Sequence, residues 1–170
     1  MHDSLLLFGA TGDLAQRYLF PSLLHLLRDR LLPADFRVVA IGRSEHDDDG
    51  FRAWLRERIG NGDSRHDGAL DDLLRRTVYR SIDLNDAEAM AATLAPFADR
   101  PSVSYLSTPP NLFEPACRGL KAAGLLEPPS RLVLEKPIGH DLQSAREIDA
   151  TLKSALDESR IFRIDHYLGK

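Results

Sequence analysis

A chain of 170 residues is long enough for one domain with a hydrophobic core and too short for two large ones. A hydrophobic content of 43%, a charged content of 28% and a net charge of −4 are ordinary for a globular protein and do not suggest a nucleic-acid binder. Because Cys117 is the only cysteine and no apolar run reaches membrane-spanning length, we expect no internal disulfide, no metal site and no membrane contact, in a cytoplasmic protein.

The chain opens with a short apolar run, Leu5–Phe8, that stops in a loop whose glycines, Gly9 and Gly12, are three positions apart. An amphipathic segment follows to about Arg30, in which Pro21 is expected to kink the helix or to mark the start of its main body. This order directs backbone N–H groups and a helix N-terminus at a phosphate. We therefore predict a pyrophosphate-binding segment formed by Gly9, Ala10, Thr11, Gly12, Asp13, Leu14 and Ala15. A plain strand-to-helix connector is the alternative.

Strand and helix patterns alternate along the rest of the chain. Apolar runs predict six strands at Leu5–Phe8, Arg37–Ile41, Thr77–Ser81, Val103–Leu106, Arg131–Leu134 and Ile161–Ile164. Further helices are predicted at Phe51–Ile59, Asp86–Phe97, Phe113–Ala123 and Leu142–Leu156, with a turn-rich surface loop at Gly60–Gly68. This alternation predicts a single α/β domain over residues 1–170: a doubly wound, Rossmann-type, mainly parallel six-stranded sheet with helices on both faces.

The ends of the second, third and fourth strands indicate which dinucleotide binds. Arg43 stands where NAD-preferring domains usually carry an acidic residue, and a guanidinium suits a 2′-phosphate, with Ser44 and Thr11 as additional hydroxyl donors. We therefore favour NADP, the alternative being that Arg43 is a generic surface arginine. Asp83 and Leu84 would flank the adenine in such a fold. The stretch Ser107–Pro110 follows the fourth strand, where the nicotinamide half of the coenzyme would pass. Pro110 is predicted to contact the coenzyme there.

Two further groups of ionisable residues appear where apolar strands end. Lys136 closes the fifth strand, at the edge where open α/β sheets bind ligands, and its bond to Pro137 can be cis at modest energetic cost. The last strand ends in a polar run from which His166, Tyr167 and Lys170 are candidates to hold a phosphorylated substrate. Asp165 is a candidate to orient a catalytic imidazolium. Each group also has a plain structural interpretation as a turn or a strand end.

Three motifs together resemble the coenzyme domain of the glucose-6-phosphate dehydrogenase family. They are Gly9–Ala15, Glu135–Leu142 and Arg163–Lys170, in the order and at about the spacing of that family, and they span essentially the whole chain. The resemblance implies oxidation of glucose 6-phosphate at C1 to the 6-phosphogluconolactone with NADP, the first step of the oxidative pentose phosphate pathway. It also implies a homo-oligomer, a dimer or a tetramer, for the full-length protein.

The resemblance assigns roles to single residues. Lys136 would contact both coenzyme and sugar, while Asp165 would pair with the catalytic histidine. His166, Tyr167 and Lys170 would contact the sugar phosphate.

The chain departs from the family pattern in two places. Tyr18 stands where many members carry a lysine beside the coenzyme phosphates. None of the six histidines matches the family's catalytic base, which lies in a further β+α domain, so we expect a coenzyme domain that is inactive by itself. The alternative function is a non-catalytic module that binds or senses NADP(H). A different sugar-phosphate or short-chain dehydrogenase is a more remote alternative, and the absence of a Tyr-x-x-x-Lys pair on a helix argues against the short-chain class.

Overall fold

Six parallel strands form one sheet in the computed structural model, which describes residues 3–60, 68–139 and 141–164. The strands are β1 (Ser4–Phe8), β2 (Arg37–Gly42), β3 (Thr77–Ser81), β4 (Ser102–Leu106), β5 (Arg131–Glu135) and β6 (Ile161–Ile164). Their order is β3-β2-β1-β4-β5-β6, so the chain winds outward from β1 in one direction and from β4 in the other. The predicted doubly wound fold is confirmed, and every predicted strand agrees with the structure to within one residue at each end.

Burial explains why β1 lies at the centre. Leu6, Leu7 and Phe8 are consecutive and have no exposed surface, which requires a covered layer on both faces of the sheet. In the parallel register, Leu6 lies beside Val39 of β2 on one side and Ser104 of β4 on the other. The carboxyl ends of β1, β2 and β4 therefore reach the same edge of the sheet.

The helices divide between the two faces. They are α1 (Phe20–Arg28), α2 (Asp48–Ile59), α3 (Gly68–Arg75), α4 (Ala87–Leu94), α5 (Phe113–Ala122) and α6 (Leu142–Ala155). On one face, α1, α2 and α3 pack apolar side chains around Leu7, Val38 and Ala40. On the other, α4, α5 and α6 pack around Leu6, Phe8 and Val39.

The helical segment after the first loop is built in two parts. A π-helical turn covers Ala15–Leu19, and the regular α-helix α1 begins at Phe20, with Pro21 in its first turn. Pro21 has no N–H to donate to the preceding turn, so it suits the point where the helix changes from π-helical to α-helical. The prediction that Pro21 marks the start of the main helix is confirmed.

The remaining helices differ from the prediction by more than one residue at two ends, and one whole element is new. Helix α4 ends at Leu94, and the rest of the predicted segment, Ala95–Phe97, is a 3₁₀ turn. Helix α2 begins three residues earlier than predicted because the Asp47 carboxylate caps it, accepting the Gly50 N–H at 2.7 Å. Helix α3 was not predicted at all. It follows the turn-rich stretch and has only eight residues, although Leu70, Leu73 and Leu74 have the spacing of a helix face. Asp141 caps α6, and its carboxylate accepts the Ser144 N–H at 2.7 Å.

Candidate functional site

A cleft of about 700 Å³ opens at the carboxyl edge of the sheet, where the strand order reverses between β1 and β4. Four connections line it: the turn after β1, the end of β2, the segment after β3 and the segment after β4. Open α/β sheets bind ligands at this position because the two adjacent connections leave in opposite directions and separate. The volume lies within the range of small-molecule sites in proteins.

The inner wall of the cleft is lined by glycine backbone. Gly9 has a φ of +77°, and a Cβ on it would collide with the Ser107 carbonyl oxygen across the β1–β4 boundary. A Cβ on Gly12 would lie 3.1 Å from the Gly9 carbonyl oxygen, and one on Gly42 would lie 2.7 Å from the Tyr79 hydroxyl. The packing of the turn and of the neighbouring strand ends therefore requires glycine at Gly9 and Gly42, and at all three positions the lining of the cleft is backbone without a side chain.

Hydrogen bonds hold the turn after β1 in one shape. The Ala10 N–H donates to the Ile41 carbonyl at 2.9 Å, and the Gly12 N–H donates to the Gly9 carbonyl at 2.9 Å. The Gln16 side-chain amide donates to the Thr11 carbonyl at 2.6 Å, which ties the turn to the helical segment that follows. The first N–H groups of a helix have no intrahelical acceptor, so those at the start of this segment can donate to an anion in the cleft.

Charge on the outer wall comes from Arg43 and Asp83. Arg43 lines the cleft at the end of β2 with an exposed side chain. The Asn85 N–H and side-chain amide both donate to the Asp83 carboxylate, at 3.0 and 2.9 Å, and these bonds lower the pKa of Asp83, with a smaller contribution from the charge of Arg43. Asp83 therefore stays ionised at neutral pH, and it partly offsets the positive field of Arg43.

Several lining residues were missed by the sequence prediction. Gly42 does not belong to a sequence motif. Glycine is required at this position because a side chain would meet the Tyr79 hydroxyl on the neighbouring strand. After β4, Ser107, Thr108 and Pro109 of the predicted stretch line the cleft, together with Asn111, which was not predicted, whereas the predicted contact Pro110 does not line it. The Thr108 hydroxyl oxygen is buried and has no hydrogen-bond partner among the described residues, so it can pair with a polar group of a ligand. The sequence signal for a polar ligand-binding segment here was three polar residues around two prolines.

The other predicted coenzyme residues divide between the cleft and its surroundings. Those that line the cleft are Gly9, Thr11, Gly12, Arg43, Ser44, Asp83 and Leu84. Ala10 and Ala15 are fully buried behind it. Asp13, Leu14 and Pro110 lie outside the lining. Tyr18 is 62% exposed on the π-helical turn, where it brings no positive charge.

Lys136 lies on the same edge of the sheet, two strands away from β1. Its side chain is exposed outside the cleft lining, its N–H donates to the Ile164 carbonyl at 3.0 Å, and its bond to Pro137 is cis. Beside it, the Tyr105 hydroxyl donates to the Glu135 carboxylate at 2.7 Å, and burial together with this carboxylate raises the pKa of Tyr105. The predicted residues Asp165, His166, Tyr167 and Lys170 lie outside the described residues.

The described residues hold neither a metal-binding group nor a membrane-spanning helix. No group of three His, Cys, Asp or Glu side chains there is arranged to hold a metal ion. None of the helices in that part of the chain combines the length and the apolar character needed to cross a membrane.

A parallel sheet in this order, with a glycine-lined cleft where the order reverses, defines a Rossmann-type dinucleotide-binding domain. The sequence model of the family described as "Glucose-6-phosphate dehydrogenase, NAD binding domain" matches residues 6–170. The chain belongs to the glucose-6-phosphate dehydrogenase family and forms a domain of the class that binds a nicotinamide coenzyme.

Similar proteins agree with this assignment over nearly the whole chain. Glucose-6-phosphate 1-dehydrogenase of Zymomonas mobilis is 44% identical over 173 residues, which cover 99% of this chain and 36% of that protein. The corresponding protein of Mycolicibacterium smegmatis is 39% identical over 96% of this chain and 35% of its own length. The chain thus spans about a third of the length of these relatives.

Solved structures show the same fold. The crystal structure of glucose-6-phosphate 1-dehydrogenase from Mycobacterium avium superposes with a TM-score of 0.88 at 38% identity, covering 99% of this chain and 37% of that one. A glucose-6-phosphate dehydrogenase in complex with its substrate glucose-6-phosphate superposes with a TM-score of 0.81 at 30% identity, with the same coverage.

Proposed function

We propose that this chain is an NADP-binding domain and that the whole protein oxidises glucose 6-phosphate to 6-phosphoglucono-1,5-lactone. The observation that carries the proposal is the pairing of a glycine-lined cleft with Arg43 on its wall, in a chain of the glucose-6-phosphate dehydrogenase family. We further propose that the whole protein is a homo-oligomer, as the family resemblance implies. A non-catalytic NADP(H)-binding or sensing module is less favoured, because it gives the run Asp165–Tyr167 no role.

The cleft suits the pyrophosphate of a dinucleotide. Gly9, Gly12 and Gly42 line the cleft without a side chain, and the adjoining helical segment starts with N–H groups that can donate. In this assignment the segment Gly9–Ala15 acts through its backbone, and Ala10 and Ala15 act by packing behind it. Asp83 and Leu84 would bound the adenine, and the stretch containing Pro110 would border the nicotinamide half.

The preference for NADP rests on Arg43 and Ser44. A planar guanidinium with several donors matches the oxygens of a 2′-phosphate, and bonds between two charged groups are the stronger kind of hydrogen bond. Ser44 and Thr11 line the same part of the cleft and add hydroxyl donors. Asp83 carries the opposing charge, but its carboxylate already accepts two bonds from Asn85.

The sugar side of the reaction is assigned to the polar ends of β5 and β6. Lys136 would orient the sugar beside the coenzyme, and His166, Tyr167 and Lys170 would hold its phosphate through charge-assisted hydrogen bonds. Asp165 would orient and stabilise the imidazolium of a catalytic histidine that takes the C1 hydroxyl proton, as a carboxylate does in a Ser-His-Asp triad. When bound, the coenzyme supplies the nicotinamide that accepts the hydride.

Replacement of Arg43 tests the coenzyme assignment. The variant Arg43→Ala should raise the Kd for NADP by about 10- to 100-fold, because one charge-assisted contact to the 2′-phosphate is lost, and should leave the Kd for NAD within about twofold. Isothermal titration calorimetry measures both values. Arg118→Ala is the matched control, since Arg118 is an exposed arginine on α5 that pairs with Glu114 at 3.1 Å, away from the cleft. Equal losses for NADP and NAD in Arg43→Ala would contradict the 2′-phosphate role.

The substrate assignment is tested in the whole protein. His166→Ala should raise the KM for glucose 6-phosphate, measured by NADPH absorbance, because a phosphate contact is lost. An unchanged KM would remove His166 from the sugar site. Wild-type protein that binds NADP but forms no NADPH with glucose 6-phosphate would instead favour the binding or sensing module.

A further inference from the structure

Tyr79 of β3 contacts both ends of the connection between β2 and α2. Its hydroxyl donates to the Ser44 carbonyl at 2.8 Å, just after β2 ends. Its backbone N–H donates to the Asp48 carboxylate at 2.6 Å, in the first turn of α2. One residue of the neighbouring strand therefore clamps the segment that carries Arg43 and Ser44.

The ring of Tyr79 is held in place, so its hydroxyl has a defined position. The side chain is buried, and it stacks on Phe51 of α2 with ring centroids 4.5 Å apart and an interplanar angle of 18°. The His46 ring packs edge-on at 5.6 Å. Burial also raises the pKa of Tyr79, which keeps the hydroxyl protonated and able to donate at neutral pH.

The clamped segment has a glycine at the point where the Tyr79 hydroxyl passes. A Cβ on Gly42 would lie 2.7 Å from that hydroxyl oxygen and 3.2 Å from the Thr11 Oγ1, so glycine is the residue that lets the hydroxyl pass beneath the strand end. Arg43, the next residue, lines the cleft and has an exposed side chain. A long exposed side chain gains little affinity unless its backbone is fixed, because ordering it on binding has an entropic cost.

We propose that Tyr79 is a positioning residue for coenzyme selectivity: it holds the Gly42–Ser44 backbone so that Arg43 and Ser44 meet the 2′-phosphate. This inference rests on the proposed function, since it assigns a cause to the preference for NADP. Tyr79 acts through Arg43 and Ser44, and its effect is confined to ligands that carry a 2′-phosphate.

The experiment compares 2′,5′-ADP with 5′-ADP as ligands of the full chain, wild type and Tyr79→Phe, by calorimetry. The variant keeps the stacked ring and the backbone bond to Asp48 and loses only the hydroxyl. The Kd for 2′,5′-ADP should rise about threefold to tenfold, as expected for one lost hydrogen bond, while the Kd for 5′-ADP stays within about twofold. A purely structural role would weaken both ligands equally, and that result, or no change in either, overturns the proposal.

Tyr105→Phe is the matched control. It also removes one tyrosine hydroxyl bonded at 2.7 Å, but its acceptor is Glu135 on β5, and its selectivity between the two ligands should equal that of the wild type. A wild-type chain that does not prefer 2′,5′-ADP would overturn the NADP assignment together with this inference. A preference for 2′,5′-ADP that is undiminished in Tyr79→Phe would overturn the inference alone.

Gly42→Ala tests the contact without changing Tyr79, and a double-mutant cycle with Tyr79→Phe then assigns its effect to the tyrosine hydroxyl. Gly42→Ala should displace the Tyr79 hydroxyl and weaken 2′,5′-ADP binding more than 5′-ADP binding. In the Tyr79→Phe background the same substitution should have a smaller effect, because the atom it meets first is gone. Equal effects of Gly42→Ala in both backgrounds would show that the hydroxyl does not set this segment, and would overturn the proposal.

Discussion

Gly9 is required both by backbone conformation and by space. Its φ of +77° lies in the region that residues with a Cβ rarely adopt, and the carbonyl of Ser107, just after β4, occupies the place of the missing side chain. The first requirement is local and follows from the turn after β1. The second exists only because β4 is the neighbour of β1 in the sheet.

Substituting Gly9 should therefore be far more costly than substituting a glycine in open space. Gly9→Ala should lower the free energy of unfolding by at least about 1–2 kcal/mol from the backbone conformation alone, with the collision adding to it. Gly68→Ala is the control, since a Cβ there meets nothing within 4 Å, and we expect a change within about 0.5 kcal/mol. Urea denaturation measures both. Similar changes in the two variants would contradict the argument from φ and packing.

At the element scale, β3 is the outer strand at one end of the sheet, and α2 packs against its outer edge. The Asp48 carboxylate accepts the Tyr79 N–H at 2.6 Å and the Arg80 guanidinium at 3.0 Å. An outer strand otherwise presents unpaired backbone groups to other chains, so this contact both fastens α2 to β3 and protects the edge.

Removal of that carboxylate should destabilise the fold. Asp48→Ala should lower the free energy of unfolding by about 1–3 kcal/mol, because a partly buried N–H and a guanidinium lose their acceptor. Asp49→Ala makes the same change one residue later, at a side chain that is 92% exposed, and should alter stability by no more than about 0.5 kcal/mol. Chemical denaturation distinguishes the two. Asp48→Ala with wild-type stability would mean that this contact contributes nothing to the fold.

Helix α3 is an element that the sequence pattern did not predict. Its eight residues are too few for strong periodicity, and the glycine-rich stretch before it indicates a loop. What stabilises α3 is burial of Leu73 and Leu74 against the sheet, together with Arg52 of α2, which donates to the Leu74 carbonyl at 3.1 Å at the end of the helix. These contacts are tertiary, so local propensity does not contain them.

At the scale of the whole molecule, Cys117 reports on the core between the sheet and α4, α5 and α6. It is 1% exposed, and burial, assisted by the nearby Glu114 carboxylate, raises the pKa of its thiol to about 12. A protonated thiol without access to solvent reacts only when the core opens.

Thiol labelling should therefore follow unfolding. With Ellman's reagent at neutral pH, Cys117 should react about a thousandfold or more slowly in the native protein than in denaturant, because a stable core is open only for a small fraction of time. The control moves the thiol to the surface by combining Cys117→Ser with Ser159→Cys, at an exposed position, and this thiol should react at once. Fast labelling of native Cys117 would show that this half of the core opens locally.

The sequence by itself determined the local features: six apolar strands, the glycines of the first turn, the start of α1 at Pro21 and an arginine at the end of β2. Each depends on neighbouring residues, through hydrophobic periodicity or backbone conformation. Only the tertiary structure decided which strand ends share the cleft, why position 42 is glycine and that Tyr79 reaches Ser44. Those features join residues far apart in the chain, and their distances depend on the order of the strands in the sheet.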